Sequence, residues 1–531
     1  MASASESAPP SSPHWDPYNP KYFADPYPAW RQLREEAPLY YNDEYDFYAV
    51  SRYDDVQRGL ADRDTFISGK GGVLEVIKDN VPIPKGVFIF EDPPLHTIHR
   101  SILTRVFTPK KMQALEPAIR EFCARALDPL VEGGEFNFID DLGKEMPMRV
   151  IGMLLGIPED DLKAVQERAD AALRTEPGKP LDYSEHNFAG EGFDDYIDWR
   201  AKNPSDDLMT ELLSVEFVDE TGTTRKLERE EVLIFCNILA GAGNETTNRL
   251  IGWTGKVLAE HPDQRRMIYE DRSLIPQAIE EILRYEPPGP AIGRYVASDT
   301  EFHGQKVPKG SAIMMIAGAG NRDERKFKDG ESFNIHRERL PHLSFGHGFH
   351  SCLGNALARV EGRVALDELL NRFPEWDVDL DNAHLSSTST VRGWETLPAY
   401  TSKAKAAGRP KFTAMKAAAE KAEAEAVSDA PAEIPGAEKW KVTMKTPMGP
   451  QDMDMQIVRD GSSFSGMISS PMGAAPIEGG KIDGDKLAWT MAVEKPVKIK
   501  VTFDVTIDGD TLSGHAKLGM MGKSPVTGVR A

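Results

Sequence analysis

The chain changes character abruptly between Ser402 and Ala437. That stretch, which contains FTAMKAAAEKAEAEAVSDAPAEIPGA, has too little apolar surface for a core and breaks at Pro431 and Pro435. Its Ala, Lys and Glu favour a solvated helix, so it reads as a semi-rigid linker. The 531 residues also exceed what one hydrophobic core usually organises. Upstream, from Trp15 to Thr401, helical periodicity dominates from about Met112 onward, with Tyr45–Val50 an early strand candidate. Downstream, Lys439–Thr446, Lys486–Val493, Lys498–Ile507 and Thr511–Leu518 alternate as strands do. Asp460-Gly461, Asp483-Gly484 and Asp508-Gly509 fall between such runs, where tight hairpins need a residue tolerant of positive φ. The expected fold is a mainly helical domain with small β-sheets over 15–401, a linker over 402–437, and an all-β antiparallel meander or closed barrel over 438–531.

Charge and cysteine content narrow the partners. Lys and Arg number 63 against 84 Asp and Glu, a formal charge of −21. A nucleic acid or an anionic membrane surface would demand the opposite sign. Cys123, Cys236 and Cys352 lie far apart. Three thiols cannot form a disulfide framework or an all-cysteine iron–sulfur site, and they fit a reducing compartment. The start, MASASESAPPSSPHW, lacks a basic n-region and an apolar h-region. No segment approaches about 18 uninterrupted apolar residues, so no integral membrane span is expected. A cytoplasmic protein with a disordered start over residues 1–14 is the expectation.

The segment FGHGFHSCLG, Phe345 to Gly354, runs directly into the helical NALARVEGRVALDELLNRF. Cys352 therefore stands at a helix mouth, where backbone N–H groups and the positive helix end favour thiolate. Gly346, Gly348 and Gly354 let the backbone approach a flat ligand. On these residues alone, a buried helix-start cysteine remains open. So does a zinc site using His347, His350 and Cys352, although zinc needs a fourth ligand and a different spacing.

The complete segment resembles the haem signature of the cytochrome P-450 superfamily, F-x-x-G-x-x-x-C-x-G, with Phe345, Gly348, Cys352 and Gly354 in the fixed places. The resemblance spans about three-quarters of the chain. It implies a triangular, mainly helical fold and a haem b whose iron is held by Cys352. Upstream, ILAGAGNETTNRLIGWTGKVLAEHP reads by itself as a kinked core helix, in which a Thr246 hydroxyl bonded to a main-chain carbonyl would open a groove. By resemblance it is the oxygen-side helix, with Glu245 and Thr246 the acid–alcohol pair that delivers protons during catalysis. Glu281 and Arg284 share one helix face; as residues they are a surface ion pair, and by resemblance they form a buried structural network with Arg337. His96 and Arg100 stand one turn apart after an Asp-Pro-Pro helix start. The resemblance assigns them, with Arg294 and His350, to the haem propionates.

The implied activity is a monooxygenase that hydroxylates an apolar small molecule. Electrons would come from NAD(P)H through a ferredoxin and a ferredoxin reductase, since the chain has no reductase of its own. The alternatives are a peroxygenase using hydrogen peroxide and a haem-based gas sensor or binding module signalling through the β domain. Ile238, Gly241, Ala242, Ala291, Ile292 and Thr390 are the expected pocket lining. Gly71–Phe90, including Val73, Val76, Ile77 and Phe88, is the expected mobile cover. The β domain departs from the superfamily pattern. Its methionines read as core filler, and self-association or partner docking ranks above ligand capture.

Overall fold

A computed structural model describes residues 13–171, 174–183, 193–388, 390–401, 437–446, 449–470, 473–493, 499–518 and 523–530. Two compact units divide the chain, one up to Arg409 and one from Pro410. The expected linker, up to residue 436, and residues 1–12 of the expected disordered start lie outside the described residues.

The first unit is organised around one long helix, Arg229–Glu260, of 32 residues. At 1.5 Å per residue it extends about 48 Å, the scale of a whole domain. A capping box between Glu228 and Glu231 starts it, and Pro262 follows its end. It is buried on most of its circumference, so its apolar residues form no single stripe. Glu145–Leu155, Ile275–Tyr285 and the cysteine helix, Asn355–Arg372, pack against it around the main core. Beside the helices lies a five-stranded sheet in the order Leu39–Asn42, Phe47–Val50, Ala312–Met315, Ile292–Val296, Phe66–Ile67. The early strand begins two residues later than expected because Tyr45 and Asp46 make the hairpin turn, with Asp46 at φ +48°. Its partner Leu39–Asn42 was not foreseen, since LYYN shows no alternation. Pairing of Ile313 with both Tyr48 and Arg294 fixes Arg294 in the sheet.

The second unit is a closed antiparallel barrel. Glu438–Thr446, Gly449–Asp460, Ser463–Ser470, the bent pair Gly473–Pro476 and Glu478–Asp483, Lys486–Val493, Ile499–Asp508, Thr511–Leu518 and Lys523–Arg530 follow one another. Glu438–Thr446 then pairs with Lys523–Arg530 and closes the ring. The strand expectations hold to within a residue, and Gly461, Gly484 and Gly509 turn at φ near +60° as the hairpins require. Closure removes both sheet edges, which an open meander would leave exposed. Trp440, Met444, Met453, Met455, Phe464, Trp489 and Phe503 fill the interior, with Trp489 stacked on Phe503 at 4.6 Å. Outward positions such as Lys441, Asp454, Thr502, Asp504 and Ser513 are polar and exposed.

A Cβ on Gly466 would stand 1.9 Å from the Gln456 carbonyl oxygen of the neighbouring strand, closer than on any other described glycine of the barrel. Gly466→Ala should destabilise the barrel by about 2 kcal/mol, roughly a 30-fold loss of amide protection in its strands. Hydrogen exchange of the full chain should show that loss while residues 229–260 stay unchanged.

Candidate haem-binding site

Cys352 sits two residues before Gly354, which caps the N-terminus of the cysteine helix. The loop is drawn tight by Cys352 N–H donating to the Phe345 carbonyl at 2.7 Å and Gly346 N–H to the Leu343 carbonyl at 2.9 Å. Gly346 and Gly348 adopt φ of +67° and +72°, and a Cβ on Gly348 would lie 2.8 Å from the Leu60 carbonyl oxygen. Behind the loop, the Arg359 guanidinium covers the Phe345 ring at 4.4 Å and is held by Glu280, which also pairs with His342. Burial pushes the Cys352 thiol up, outweighing the Gly354 N–H, Arg100 and Arg359, which favour thiolate. The Gly354 N–H favours thiolate as the sequence suggests, and a coordinated metal cation would favour it further.

Four basic groups gather beside the loop. His96 and Arg100 come from the helix Leu95–Thr104, Arg294 from the sheet and His350 from the loop itself. Arg100 donates to the Ser351 carbonyl. The His96 and His350 rings are 4.0 Å apart, and both nitrogens of the buried His96 lack a hydrogen-bond partner. Burial, then repulsion from Arg100, lowers His96 to about 4; burial, then His96, Arg294 and Arg100, lowers His350 to about 3. Burial also lowers Arg294 to about 10. Among the described residues none of the four makes an ion pair, although Glu91 and Asp92 attract His96 and Asp92 attracts Arg294.

The long helix leaves a stripe of Ile238, Gly241, Ala242 and Thr246 unburied, with Asn237 and Gly243 beside it. Thr246 Oγ1 donates to the Ala242 carbonyl at 2.8 Å, the local bond anticipated from sequence. A side chain on Gly241 or Gly354 would meet no atom within 4 Å, whereas one on Gly243 would meet Ile151 at 3.1 Å. A Cβ on Gly346 would lie 4.0 Å from Ile292. Ala291 and Thr390 are half-buried, Thr390 in the turn between His384–Leu385 and Trp394–Thr396. These residues fit a haem: Cys352 would hold iron, the basic cluster two propionates, and Gly241 and Gly354 leave room for a flat ring.

The Glu245 carboxylate pairs with Arg249, one turn along the same helix, and its other oxygen has no partner among the described residues. Arg249 donates to the Trp394 carbonyl and lies 3.7 Å from Glu395, which Lys144 and Arg174 hold. Spacing along one helix foreshadows the Arg249 contact; Glu395 had no sequence signal. Glu361 was also missed. This fully buried carboxyl accepts from Thr247 at 3.2 Å and is pushed up to about 8 by burial. Glu281, Arg284 and Arg337 do come together: Arg284 grips Glu281 through two 2.8 Å bonds, and Arg337 adds one at 3.0 Å. Arg284 also donates to the carbonyls of Asn321, Gly330 and Ser332, so the network ties one helix to the approach of the cysteine loop.

The family profile for cytochrome P450 matches residues 193–393. Putative cytochrome P450 123 of Mycobacterium tuberculosis is 34% identical over 389 residues, covering 72% of this chain and 96% of that protein. The chain belongs to the cytochrome P450 family. Solved P450 structures share its architecture. P450 EryK in complex with erythromycin B superposes with a TM-score of 0.63 at 32% identity, over 70% of this chain and 95% of that one. CYP109E1 of Bacillus megaterium in complex with testosterone gives 0.64 at 27% identity, over 72% and 99%. P450 enzymes carry haem b and receive electrons derived from NAD(P)H through redox partners. No helix among the described residues is long and apolar enough to cross a membrane.

The raised Glu361 gives a signed pH dependence. Its folded value near 8 lies above the ordinary carboxyl value of 4.5. The folded state therefore holds a proton that the unfolded chain releases, and stability falls as pH rises through that window. Glu361→Gln should gain on the wild type by an amount that grows between these values and levels off above, reaching on the order of 2–4 kcal/mol. Denaturant unfolding across pH 4.5 to 9 measures it.

Proposed function

We propose that this P450 inserts one atom of dioxygen into an unactivated C–H bond of a neutral, apolar small molecule. The observation that carries the reading is the stripe Ile238, Gly241, Ala242 and Thr246: an apolar floor ending in one hydroxyl already anchored at 2.8 Å to the Ala242 carbonyl. A bound haem supplies oxygen binding, and its thiolate ligand donates the electron density that promotes O–O cleavage. The chain's task is to hold substrate against the stripe and to bring a proton to Thr246. With its proton committed to Ala242, the Thr246 oxygen keeps lone pairs free to orient a proton-bearing group. Glu245 and Arg249 stand directly behind it, leading to the partly exposed Glu395. Such a relay serves dioxygen chemistry and distinguishes the reading from a peroxygenase or a gas sensor.

Apolar specificity rests on the lining, Ile238, Ala242, Ala291 and Ile292, with Thr390 as its polar member. The ligands named with two solved relatives, erythromycin B and testosterone, are neighbours in that chemical range. A ferredoxin with its reductase is the proposed electron supply. Phe349 is 40% exposed on the cysteine loop with Arg63 over its ring at 4.4 Å, and Arg100 and Arg105 share its surface hollow. That basic, partly apolar face suits an acidic partner. A cytoplasmic setting accords with three unpaired cysteines. The polar-walled barrel is read as an association or docking module.

Cys352→Ala should abolish the strongly red-shifted Soret band of the ferrous carbon monoxide complex. Thr246→Ala should retain that band and consume NAD(P)H, yet form about 10²-fold less product while releasing hydrogen peroxide. Retention of full product yield would remove the hydroxyl from the relay.

A further inference from the structure

Proton supply to Glu245 cannot run through its ion pair. A guanidinium keeps its proton at any ordinary pH, so Arg249 can orient Glu245 but can hand it nothing from Glu395. Around that pair, four residues carry five buried polar atoms with no partner among the described residues: Glu245 Oε2, Asn248 Oδ1 and Nδ2, Arg249 Nε and Trp394 Nε1. Asn248 is 0% exposed. The four meet where three elements join: the long helix, the π-helical turn Phe138–Gly143 and the strand Trp394–Thr396. The Asn248 amide lies against the π-turn, its Oδ1 2.4 Å from where a Cβ on Gly143 would stand. One helical turn on, a Cβ on Gly252 would meet Ile139 of the π-turn at 2.8 Å and the Trp394 ring at 3.2 Å. Arg249 donates to the Trp394 carbonyl. On the outer side Lys144, which follows the π-turn, reaches Asp140 at 2.8 Å and Glu395 at 3.5 Å, and all three are partly open to solvent.

We propose that this junction binds internal water, held by Asn248, and that the water carries protons from the surface at Lys144 and Glu395 to Glu245. The path rests on the monooxygenase reading above; the water site itself stands on the orphaned atoms. Orphaned polar atoms inside a protein are rare, and where several cluster, water is their usual partner. The set suits water, which must both donate and accept. Asn248 Nδ2, Arg249 Nε and Trp394 Nε1 are donors, and Glu245 Oε2 and Asn248 Oδ1 are acceptors. An amide left dry at so buried a place would cost stability that a leucine of similar size would not. Each proton that Glu245 passes towards Thr246 is replaced at Oε2 by one from the adjoining water, which takes another from the surface. Only O–H bonds break and form, and no charge is left behind. Arg249 stays protonated throughout and holds the other Glu245 oxygen. Asn248 acts through the water and is therefore a positioning residue.

A crystal structure of the full-length, haem-loaded protein should show ordered water within hydrogen-bond distance of both the Asn248 amide and Glu245 Oε2. Finding those atoms bonded to protein groups, or the junction dry, would overturn the site; this test needs no variant and decides even if a substitution fails to fold. Asn248→Leu should keep the red-shifted carbon monoxide band yet lower coupled product formation by about tenfold, part of what a whole relay contributes. Its solvent deuterium isotope effect should grow as proton supply becomes limiting. Asn248→Ser, which can again hold water, should return both readouts towards the wild type. An isotope effect that Asn248→Leu leaves unchanged, whatever its stability, would make Asn248 structural only and overturn the path. A serine variant no better than the leucine one would do the same. Full coupling in Thr246→Ala would instead count against the monooxygenase relay and leave the water site standing.

Discussion

Four basic side chains gathered beside one cysteine loop, His96 and Arg294 buried and Arg100 and His350 half-buried, set the terms for the first domain. His96, Arg100, Arg294 and His350 are brought together by a helix, a sheet strand and the loop; burial weakens the hold of His96, His350 and Arg294 on their protons, and repulsion from neighbouring cations adds to it for the two histidines. Protein interiors do not collect uncompensated charge without a partner. The same cluster carries an anionic ligand with two carboxylates easily. Haem propionates held there would couple cofactor to fold, since any ligand that binds only the native state stabilises it.

Around that cluster the scaffold is stiffened by ion pairs that each join distant segments. Glu281, Arg284 and Arg337 bind a helix to the segment leading into the cysteine loop. Glu286 does the same for the N-terminal region, accepting from Tyr27 at 2.7 Å and pairing with Arg392 at 2.5 Å and Arg322 at 3.4 Å. Removing one partner from such a buried set leaves a charge alone, at a cost of about 3–5 kcal/mol. These networks therefore fix position more than they add stability. Glu245 is held locally instead, by Arg249 one turn along its own helix.

The barrel obeys a different constraint. A sheet of about ninety residues without a helical layer must hide both its edges and its apolar face, and ring closure does both at once. The tightest bends fall on glycine, and the aromatic residues Trp489 and Phe503 occupy the interior.

Sequence alone determined what depends on local order. A ten-residue loop with fixed glycines and one cysteine pointed to the family to which the chain belongs. Period-two runs separated by Asp-Gly turns gave the barrel strands, because hairpin register is set by residues a few positions apart. The spacing of Thr246 to Ala242 foretold a hydroxyl–carbonyl bond, since one helical turn brings them together. Tertiary structure decided what depends on residues far apart in the chain. It gave Glu395 its place beside Arg249, Glu361 its place beneath Thr247, and Asn248 its place against Gly143. No periodicity encodes such contacts: each is made by a side chain whose partner lies about a hundred or more positions away. Burial, which moves a carboxyl from an ordinary acid to a proton holder, exists only once the whole core has closed around it.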